Sequence, residues 1–377
     1  MKFRIDRDAL ADAVAWTART LPARPPVPVL AGMHLEASEE GLRLSAFDYE
    51  VSAQVSAEVD CHEPGTALVS GRLLAEICRA LPPHPVDVTT DGAKVTLKCG
   101  SAKFTLSTMP VEDYPSLPAL PPVAGTVGSD EFAVAVAQVA IAAGRDDTIP
   151  MLTGVRVEID GDTVTLASTD RYRLAVRELK WNPDSADRTG VALIPAKTLA
   201  DTAKSLTSGA EVKISLGGGD TGAGENIIGF EGGGRKTTSR LLDGDFVKYR
   251  SLFPAEYAGY AEVQTGPFVD ALKRVSLVAE RNTPVRLAFR QGEVVLEAGT
   301  GDDAQAVEAL EATLEGEDID IAFNPGYVLD GLAQIASDIA RLSFTTPTKP
   351  AVLTGKPLED GGTPGYRYLI MPVRLSG

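Results

Sequence analysis

The sequence is poor in the residues that build disulfide frameworks and metal sites. Its 377 residues include three cysteines, Cys61, Cys78 and Cys99, and three histidines. No C-x-x-C pair occurs, and the histidines do not have the spacing of zinc ligands. This scarcity argues against a disulfide-stabilised secreted protein and against a structural zinc site. We expect no metal.

Long apolar segments are also missing. The longest run, from Phe132 to Gly144, contains Gln138 and is too short to cross a bilayer. The opening stretch MKFRIDRDAL lacks the apolar core of a signal peptide. Together with the low cysteine content, these features predict a cytoplasmic protein with no membrane partner.

Basic residues are outnumbered by acidic ones. The chain has 36 Lys and Arg against 52 Asp and Glu, which gives a formal net charge of −16. Such a balance argues against nucleic-acid binding over the whole surface. Few aromatic residues lie near the basic ones, so base stacking typical of single-strand binders is not indicated.

Catalytic motifs are nearly absent. No G-x-S-x-G stretch occurs. Residues 217–222 satisfy GxGxxG, but the following GENIIGFEG predicts a strand where a dinucleotide site requires a helix. We interpret the glycines as a hairpin loop, and we expect neither catalytic activity nor a cofactor.

What the chain does contain is a threefold repeat. Amphipathic helices are predicted at LADAV from Leu10, FAVAV from Phe132 and FVDAL from Phe268. An alternating segment with a central Glu-Gly, Asp-Gly or Gln-Gly follows each helix and predicts a β-hairpin. Three occurrences in the same order indicate three copies of one unit.

A second predicted helix recurs in each copy. It lies in VSGRLLAEICRAL, IPAKTLADTAKSL and FNPGYVLDGLAQI, where Glu76, Asp201 and Asp330 are 125 and 129 residues apart. Further strands close each copy. The sequence predicts an α+β fold of three domains, each with two helices on one face of about eight strands. The expected domains are residues 1–122, 123–257 and 258–377.

The second helix carries basic residues at matched places. Arg72 and Arg79 are seven apart in copy one, and Lys197 and Lys204 stand 125 residues further on in copy two. Residues at this spacing share a helix face. Copy three has no basic residue at these places. The pattern fits a phosphate-binding face, but taken alone it fits an ordinary solvated helix face better.

Four segments together resemble the bacterial DNA polymerase III beta subunit, the sliding clamp. They are YLIMPVRL at the tail, TDRYRLAV, VSGRLLAEICRALP and FNPGYVLDGL, and the resemblance runs from Met1 to Leu375. It implies two chains joined head to tail as a homodimer, in a ring of six domains around duplex DNA. Helices would line the hole, and antiparallel sheets would form the outside.

The resemblance also implies a set of partners. These are double-stranded DNA, a replicative polymerase subunit, an ATP-driven clamp loader, and repair or translesion polymerases that carry short clamp-binding peptides. The protein would be a non-catalytic processivity subunit associated with the nucleoid. The alternative is a triplicated, acidic peptide-binding scaffold that does not touch nucleic acid.

Site residues follow from matching positions. Arg24, Arg72, Arg79 and Lys197 match DNA-facing positions, with Lys204 a weaker candidate. Phe104, on a late strand of copy one, and Leu277, on the first helix of copy three, match the dimer interface, although either fits a core position as well. The implied peptide pocket includes Leu152 at the start of a predicted strand. Its other residues are Thr169, Arg171, Tyr172, Arg173, Leu174, Val247, Leu252, Asn324, Tyr327, Leu369, Ile370, Met371, Pro372, Val373 and Arg374.

Parts of this pocket depart from the family pattern. Arg171-Tyr172 stand where Gly-His is frequent, Val247 replaces a frequent proline, and Val373 replaces a methionine. Pro372 cannot donate to a strand ladder, so the last strand should lie at an edge or carry a break. These differences affect which peptide is preferred more than where the pocket lies.

Overall fold

The computed structural model describes residues 1–207, 209–217, 226–279, 283–299, 304–357 and 365–374. Within these ranges the chain contains six α-helices and 26 strands. They repeat one order three times, which confirms the predicted α+β triplication. Copy one comprises β1 (Lys2–Ile5), α1 (Arg7–Thr17), β2 (Gly32–Ser38), β3 (Gly41–Phe47), β4 (Val51–Ala57), β5 (Asp60–Glu63), β6 (Gly65–Ser70), α2 (Gly71–Ala80), β7 (Val86–Asp91), β8 (Lys94–Cys99) and β9 (Ala102–Met109).

Copy two follows the same order, and the described residues of copy three follow it without an equivalent of the short strand β5. Copy two comprises β10 (Val123–Gly128), α3 (Ser129–Ala140), β11 (Gly154–Asp160), β12 (Thr163–Thr169), β13 (Arg173–Lys180), β14 (Asn182–Pro183), β15 (Thr189–Pro195), α4 (Ala196–Ser205), β16 (Glu211–Leu216), β17 (Ile227–Gly232) and β18 (Arg235–Arg240). Copy three comprises β19 (Gly259–Gln264), α5 (Thr265–Val275), β20 (Val285–Arg290), β21 (Glu293–Ala298), β22 (Ala306–Glu315), β23 (Ile319–Phe323), α6 (Pro325–Leu332), β24 (Ile339–Phe344), β25 (Ala351–Gly355) and β26 (Tyr366–Ile370).

Local chemistry explains several of these elements. The Asp6 carboxylate accepts hydrogen bonds from the amides of Asp8 and Ala9 and so begins α1. Gly161 and Gly292 have φ of 56° and 85°, the left-handed backbone that their tight hairpin turns require. The predicted hairpins β2–β3, β11–β12 and β20–β21 are all antiparallel.

The contacts divide the chain into two compact units. Unit one comprises Met1–Ala133, Asn182–Arg188 and Asp201–Leu241, and unit two comprises Val134–Trp181, Thr189–Ala200 and Leu242–Gly377. Unit one contains a sheet of 14 strands in the order β14-β10-β16-β17-β18-β4-β3-β2-β6-β9-β8-β7-β1-β5. Unit two contains a sheet of 12 strands in the order β15-β11-β12-β13-β26-β25-β24-β19-β22-β21-β20-β23. The domain boundaries taken from the repeat stay a prediction.

Each unit has its own apolar core. In unit one, Leu10, Val14 and Leu74 pack with Met33 and Leu44 beneath α1 and α2. In unit two, a cluster at the junction of copies two and three holds Leu174, Phe246, Tyr249 and Leu369, among others. In the part of the chain described, no helix is both long and apolar enough to span a membrane.

Neighbouring copies join through strand pairs within each sheet. β18 of copy two pairs with β4 of copy one, and β26 of copy three pairs with β13 of copy two. The corresponding strands β9 and β22 lack such a partner. On the edge away from β8, strand β9 pairs with β6 only through Thr108 and Met109. On the edge away from β21, strand β22 pairs with β19 only through Ala312–Glu315. Among the described strands, Ala102–Ser107 and Ala306–Glu311 each keep one free edge.

Candidate functional site

Part of the predicted pocket surrounds a cavity of about 630 Å³ in unit two. It lies where the turn between β12 and β13 meets the start of α6. Six predicted pocket residues line it: Leu152, Arg171, Tyr172, Arg173, Asn324 and Tyr327. Copies two and three both contribute residues to this lining. The remaining lining residues are Ala143, Gly144, Arg145, Asp146, Ile149, Asp170, Gly326 and Asp330.

Asp170 shapes the turn at the cavity. Its Oδ1 accepts hydrogen bonds from the amides of Tyr172 and Arg173 at 3.0 and 3.1 Å. Arg171, between Asp170 and Tyr172, has φ of 80°, a left-handed conformation that favours glycine. Arg171 and Tyr172 are exposed. The turn therefore presents two large side chains at the cavity rim.

Arg173 forms the polar floor. Its side chain is only 6% exposed, and its Nε donates to Asp170 Oδ2 at 2.9 Å. Its Nη1 donates to Asp330 Oδ2 at 2.5 Å and to Tyr368 Oη at 3.2 Å. Burial opposes the charged form, yet Tyr368, Asp330 and Asp170 together raise the pKa of Arg173. The guanidinium therefore remains charged and ties copy two to copy three.

Aromatic rings cover this floor. The Arg173 guanidinium lies 4.5 Å from the centre of the Tyr327 ring, in a cation–π contact. Tyr172 stacks on Tyr327 with ring centres 6.3 Å apart and is 55% exposed. Tyr368 donates from Oη to the carbonyl of Tyr327 at 3.0 Å. Such amphipathic surfaces suit the side chains of a flexible peptide.

The tail follows the second of the two expectations from Pro372, because β26 lies between β13 and β25 and is not an edge strand. β26 ends at Ile370, and the following residues leave the ladder. Met371 donates from its amide to the carbonyl of Tyr172, and Val373 to the carbonyl of Ala322, both at 2.8 Å. Leu369 and Ile370 are buried, whereas the side chain of Val373 is 37% exposed. The tail thus contributes both core and surface.

Ten predicted pocket residues do not line the cavity. Four are buried beside it, namely Thr169, Leu174, Leu369 and Ile370. The other six, Val247, Leu252, Met371, Pro372, Val373 and Arg374, are exposed or half-buried. Leu152 belongs to a 3-10 turn, Pro150–Thr153, just before β11, not to the strand itself. The membership of these residues in a peptide site stays a prediction.

Sequence reasoning missed the acidic residues of the floor. Asp330 was visible as the repeat equivalent of Glu76 and Asp201, and Asp170 lies inside the TDRYRL motif. No local pattern marks Asp330 as a partner of Arg173, which lies 157 residues away. Asp170 lies only three residues from Arg173, and the motif alone did not indicate their ion pair. Asp146 and Ile149 gave no sequence signal.

The five predicted DNA-facing residues are all exposed. Arg72 and Arg79 lie on α2, and Lys197 and Lys204 on α4. Arg24 lies in the connection between α1 and β2. Arg72 donates from Nη2 to the carbonyl of Pro22 at 3.0 Å, while the buried residues of α2 lie on its other face. Exposure fits both interpretations of these positions.

The two predicted interface residues differ in burial. Phe104 on β9 is half-buried against the core of unit one. Leu277 is 84% exposed, so it is not a core residue. The prediction that it lies on the first helix of copy three was wrong: α5 ends at Val275, and Leu277 lies in the 3-10 turn Ser276–Val278. A large exposed leucine is the kind of residue that an interface covers.

The described ranges give little support for a metal site or a dinucleotide site. No group of three or more His, Cys, Asp or Glu side chains is arranged to hold a metal ion in that part of the chain. The strands β16 and β17 pair as a hairpin. Residues 218–222 of the GxGxxG stretch lie outside the described residues.

Comparisons with known proteins agree along the chain. Family models of the DNA polymerase III beta subunit match in order, the N-terminal domain at residues 1–118, the central domain at 126–248 and the C-terminal domain at 250–374. A beta sliding clamp from Streptomyces coelicolor is 64% identical over 378 residues, covering 100% of both chains.

Solved structures give the same result. The DNA polymerase sliding clamp from Bacillus subtilis matches with a TM-score of 0.92 and 28% identity over 100% of both chains. A Pseudomonas aeruginosa sliding clamp bound to griselimycin matches with a TM-score of 0.92 and 26% identity, again over 100% of both chains. The chain therefore belongs to the DNA polymerase III beta subunit family, the beta sliding clamps.

Proposed function

We propose that two copies of this chain close into a ring that encircles duplex DNA and slides along it as a non-catalytic processivity subunit. The free edges of β9 and β22 carry the proposal. β18 and β26, the equivalents of β9, each pair with a strand of the preceding copy. Pairing β9 of one chain with β22 of another would repeat that junction and remove both exposed edges.

The exposed side chains near these strands support head-to-tail closure. Val307 on the free part of β22 is 68% exposed, and Leu277 is 84% exposed. Phe104 lies on the free part of β9. Apolar groups beside an unpaired edge are unfavourable in water, and a partner strand would cover them.

Exposed basic residues would hold the DNA backbone. Arg24, Arg72, Arg79, Lys197 and Lys204 present long, mobile cations, which suit phosphates without reading sequence. Such contacts are individually weak and salt-sensitive, so they would not fix the ring at one place. The net charge of −16 would disfavour nucleic acid elsewhere on the surface.

The 630 Å³ cavity would tether partners. Its aromatic rim and charged floor suit a short peptide with apolar side chains from a polymerase subunit, clamp loader or repair polymerase. We propose that griselimycin, which the Pseudomonas aeruginosa clamp binds, occupies this cavity as well. The exposed Val247, Leu252, Met371 and Val373 would extend the surface beyond the cavity.

Retention on DNA tests the function. After loading by a bacterial clamp loader, the protein should stay on closed circular duplex and leave once the circle is cut. Loss on linearisation distinguishes encirclement from ordinary binding. Equal retention on both forms, or no retention after loading, would favour the peptide-binding scaffold.

A further inference from the structure

We propose that Glu158 is a positioning residue for the peptide site. It holds residues 246–252, the wall segment, in one conformation through contacts with its side chains. The proposal deepens the pocket part of the proposed function and rests on it. Val247 and Leu252, which are 37% and 48% exposed, are the wall side chains concerned. Glu158 itself lies on β11 and does not line the 630 Å³ cavity.

The wall segment has little support of its own. It belongs to the connection between β18, which ends at Arg240, and β19, which begins at Gly259. Its regular structure is one 3-10 turn, Tyr249–Leu252, with no side-chain cap. A connection of this length requires tertiary contacts to keep one conformation.

Glu158 supplies those contacts through three donors. Tyr249 donates from Oη to Glu158 Oε2 at 2.9 Å, and Arg250 donates from Nη2 to the same oxygen at 2.5 Å. Arg156, on the same strand as Glu158, donates from Nε to Oε1 at 2.6 Å. The carboxylate side chain is 16% exposed. A half-buried carboxylate with three donors is a strong anchor.

The anchor also fixes which side chains face outward. Tyr249 is 2% exposed and packs edge-on against Phe246, with ring centres 6.1 Å apart. Both rings belong to the core cluster that contains Leu174 and Leu369. With these two residues held inward, Val247 and Leu252 are left at the surface.

Copy one provides an internal comparison. Glu36 holds the fifth place of β2, as Glu158 does in β11, and Tyr114 in VEDYPSL corresponds to Tyr249 in FVKYRSL. There Glu36 pairs with Arg43 at 3.1 Å instead. Tyr114 stacks on His34 and makes no bond to a carboxylate in the described residues. Copy one has the same two residues without the anchor.

The experiment measures griselimycin affinity by calorimetry on the full chain. Glu158→Gln should weaken binding roughly tenfold, equivalent to about 1.4 kcal/mol. Tyr249→Phe should weaken it less, and the double variant should be no weaker than Glu158→Gln alone because both changes break one anchor. The matched controls Glu36→Gln and Tyr114→Phe should stay within about twofold of the unmodified chain.

Hydrogen exchange provides the readout that does not depend on the ligand. In Glu158→Gln, amides of residues 246–252 should exchange faster, while those of β13 and β26 keep their protection. Unchanged affinity and unchanged exchange in 246–252 would overturn the proposal, as would an equal loss in Glu36→Gln. If the unmodified chain binds no griselimycin, the pocket assignment fails, and exchange in this segment alone decides whether Glu158 is its anchor.

Discussion

The junction of copies one and two and the junction of copies two and three share a backbone but differ in side chains. In both, an aspartate, Asp48 or Asp170, accepts two amide hydrogen bonds in the turn before the pairing strand. Tyr49 and Arg171 occupy the same place with φ of 75° and 80°, and they are the two non-glycine residues with positive φ in the described ranges.

The cavities beside the two turns are unequal. The turn of copy one borders a cavity of about 90 Å³, against about 630 Å³ at the turn of copy two. Val51 stands in copy one where Arg173 stands in copy two. The repeat thus supplies the turn and the strand junction at both places, while a few polar and aromatic side chains accompany the larger cavity at one of them, which is the proposed binding site.

Replacing Arg173 should have the largest effect on stability. Arg173→Ala leaves Asp170 and Asp330 without their buried partner, so we expect a loss of about 3 kcal/mol in unfolding free energy. Val51→Ala, at the equivalent place, removes only apolar contacts and should cost about 1 kcal/mol. Urea denaturation of both variants measures the difference. Equal losses would mean that the ion cluster adds nothing to the junction.

Lowering the pH should destabilise unit two through protonation of Glu158. Burial alone would raise the pKa of its carboxyl, but the bonds from Arg250, Arg156 and Tyr249 hold the pKa below its ordinary value of 4.5. Because its pKa is lower in the folded protein, the ionised Glu158 stabilises the fold above pH 4.5. This stabilisation is lost as the pH falls through the pKa that Glu158 has in the folded protein. Thermal melts from pH 6 to pH 3 should therefore show a shallower decline in Glu158→Gln. If the melting temperatures of the two proteins fall in parallel with pH, the role given to Glu158 is wrong.

Glycine at the two turns should give the smallest effect. Arg171→Gly and Tyr49→Gly each relieve a left-handed conformation, so each should stabilise the chain by about 0.5 to 1 kcal/mol, less the entropy that glycine adds to the unfolded state. Similar gains in the two variants would confirm that the strain belongs to the repeated turn. A loss in Arg171→Gly alone would show that its side chain stabilises the pocket.

The sequence predicted the repeated elements well because they depend on local patterns. Apolar periodicity and Asp-Gly or Gln-Gly turns located the six helices and the hairpins of each copy. The floor of the cavity and the wall segment depend on distant pairs. Arg173 in the floor meets Tyr368 across 195 residues, and Tyr249 in the wall segment meets Glu158 across 91. No local pattern marks such pairs. The end of α5 before Leu277 also escaped, because a 3-10 turn continues the helix without a stop signal.

The mass of the protein in solution tests the central claim most directly, because the third junction of the repeat requires a second chain. Sedimentation at micromolar concentration should give twice the 39.7 kDa of one chain. Leu277→Asp should shift the protein towards monomer, while Val191→Asp, an equally drastic change at an exposed residue of β15, should not. A single-chain mass for the unmodified protein would contradict closure of β9 onto β22.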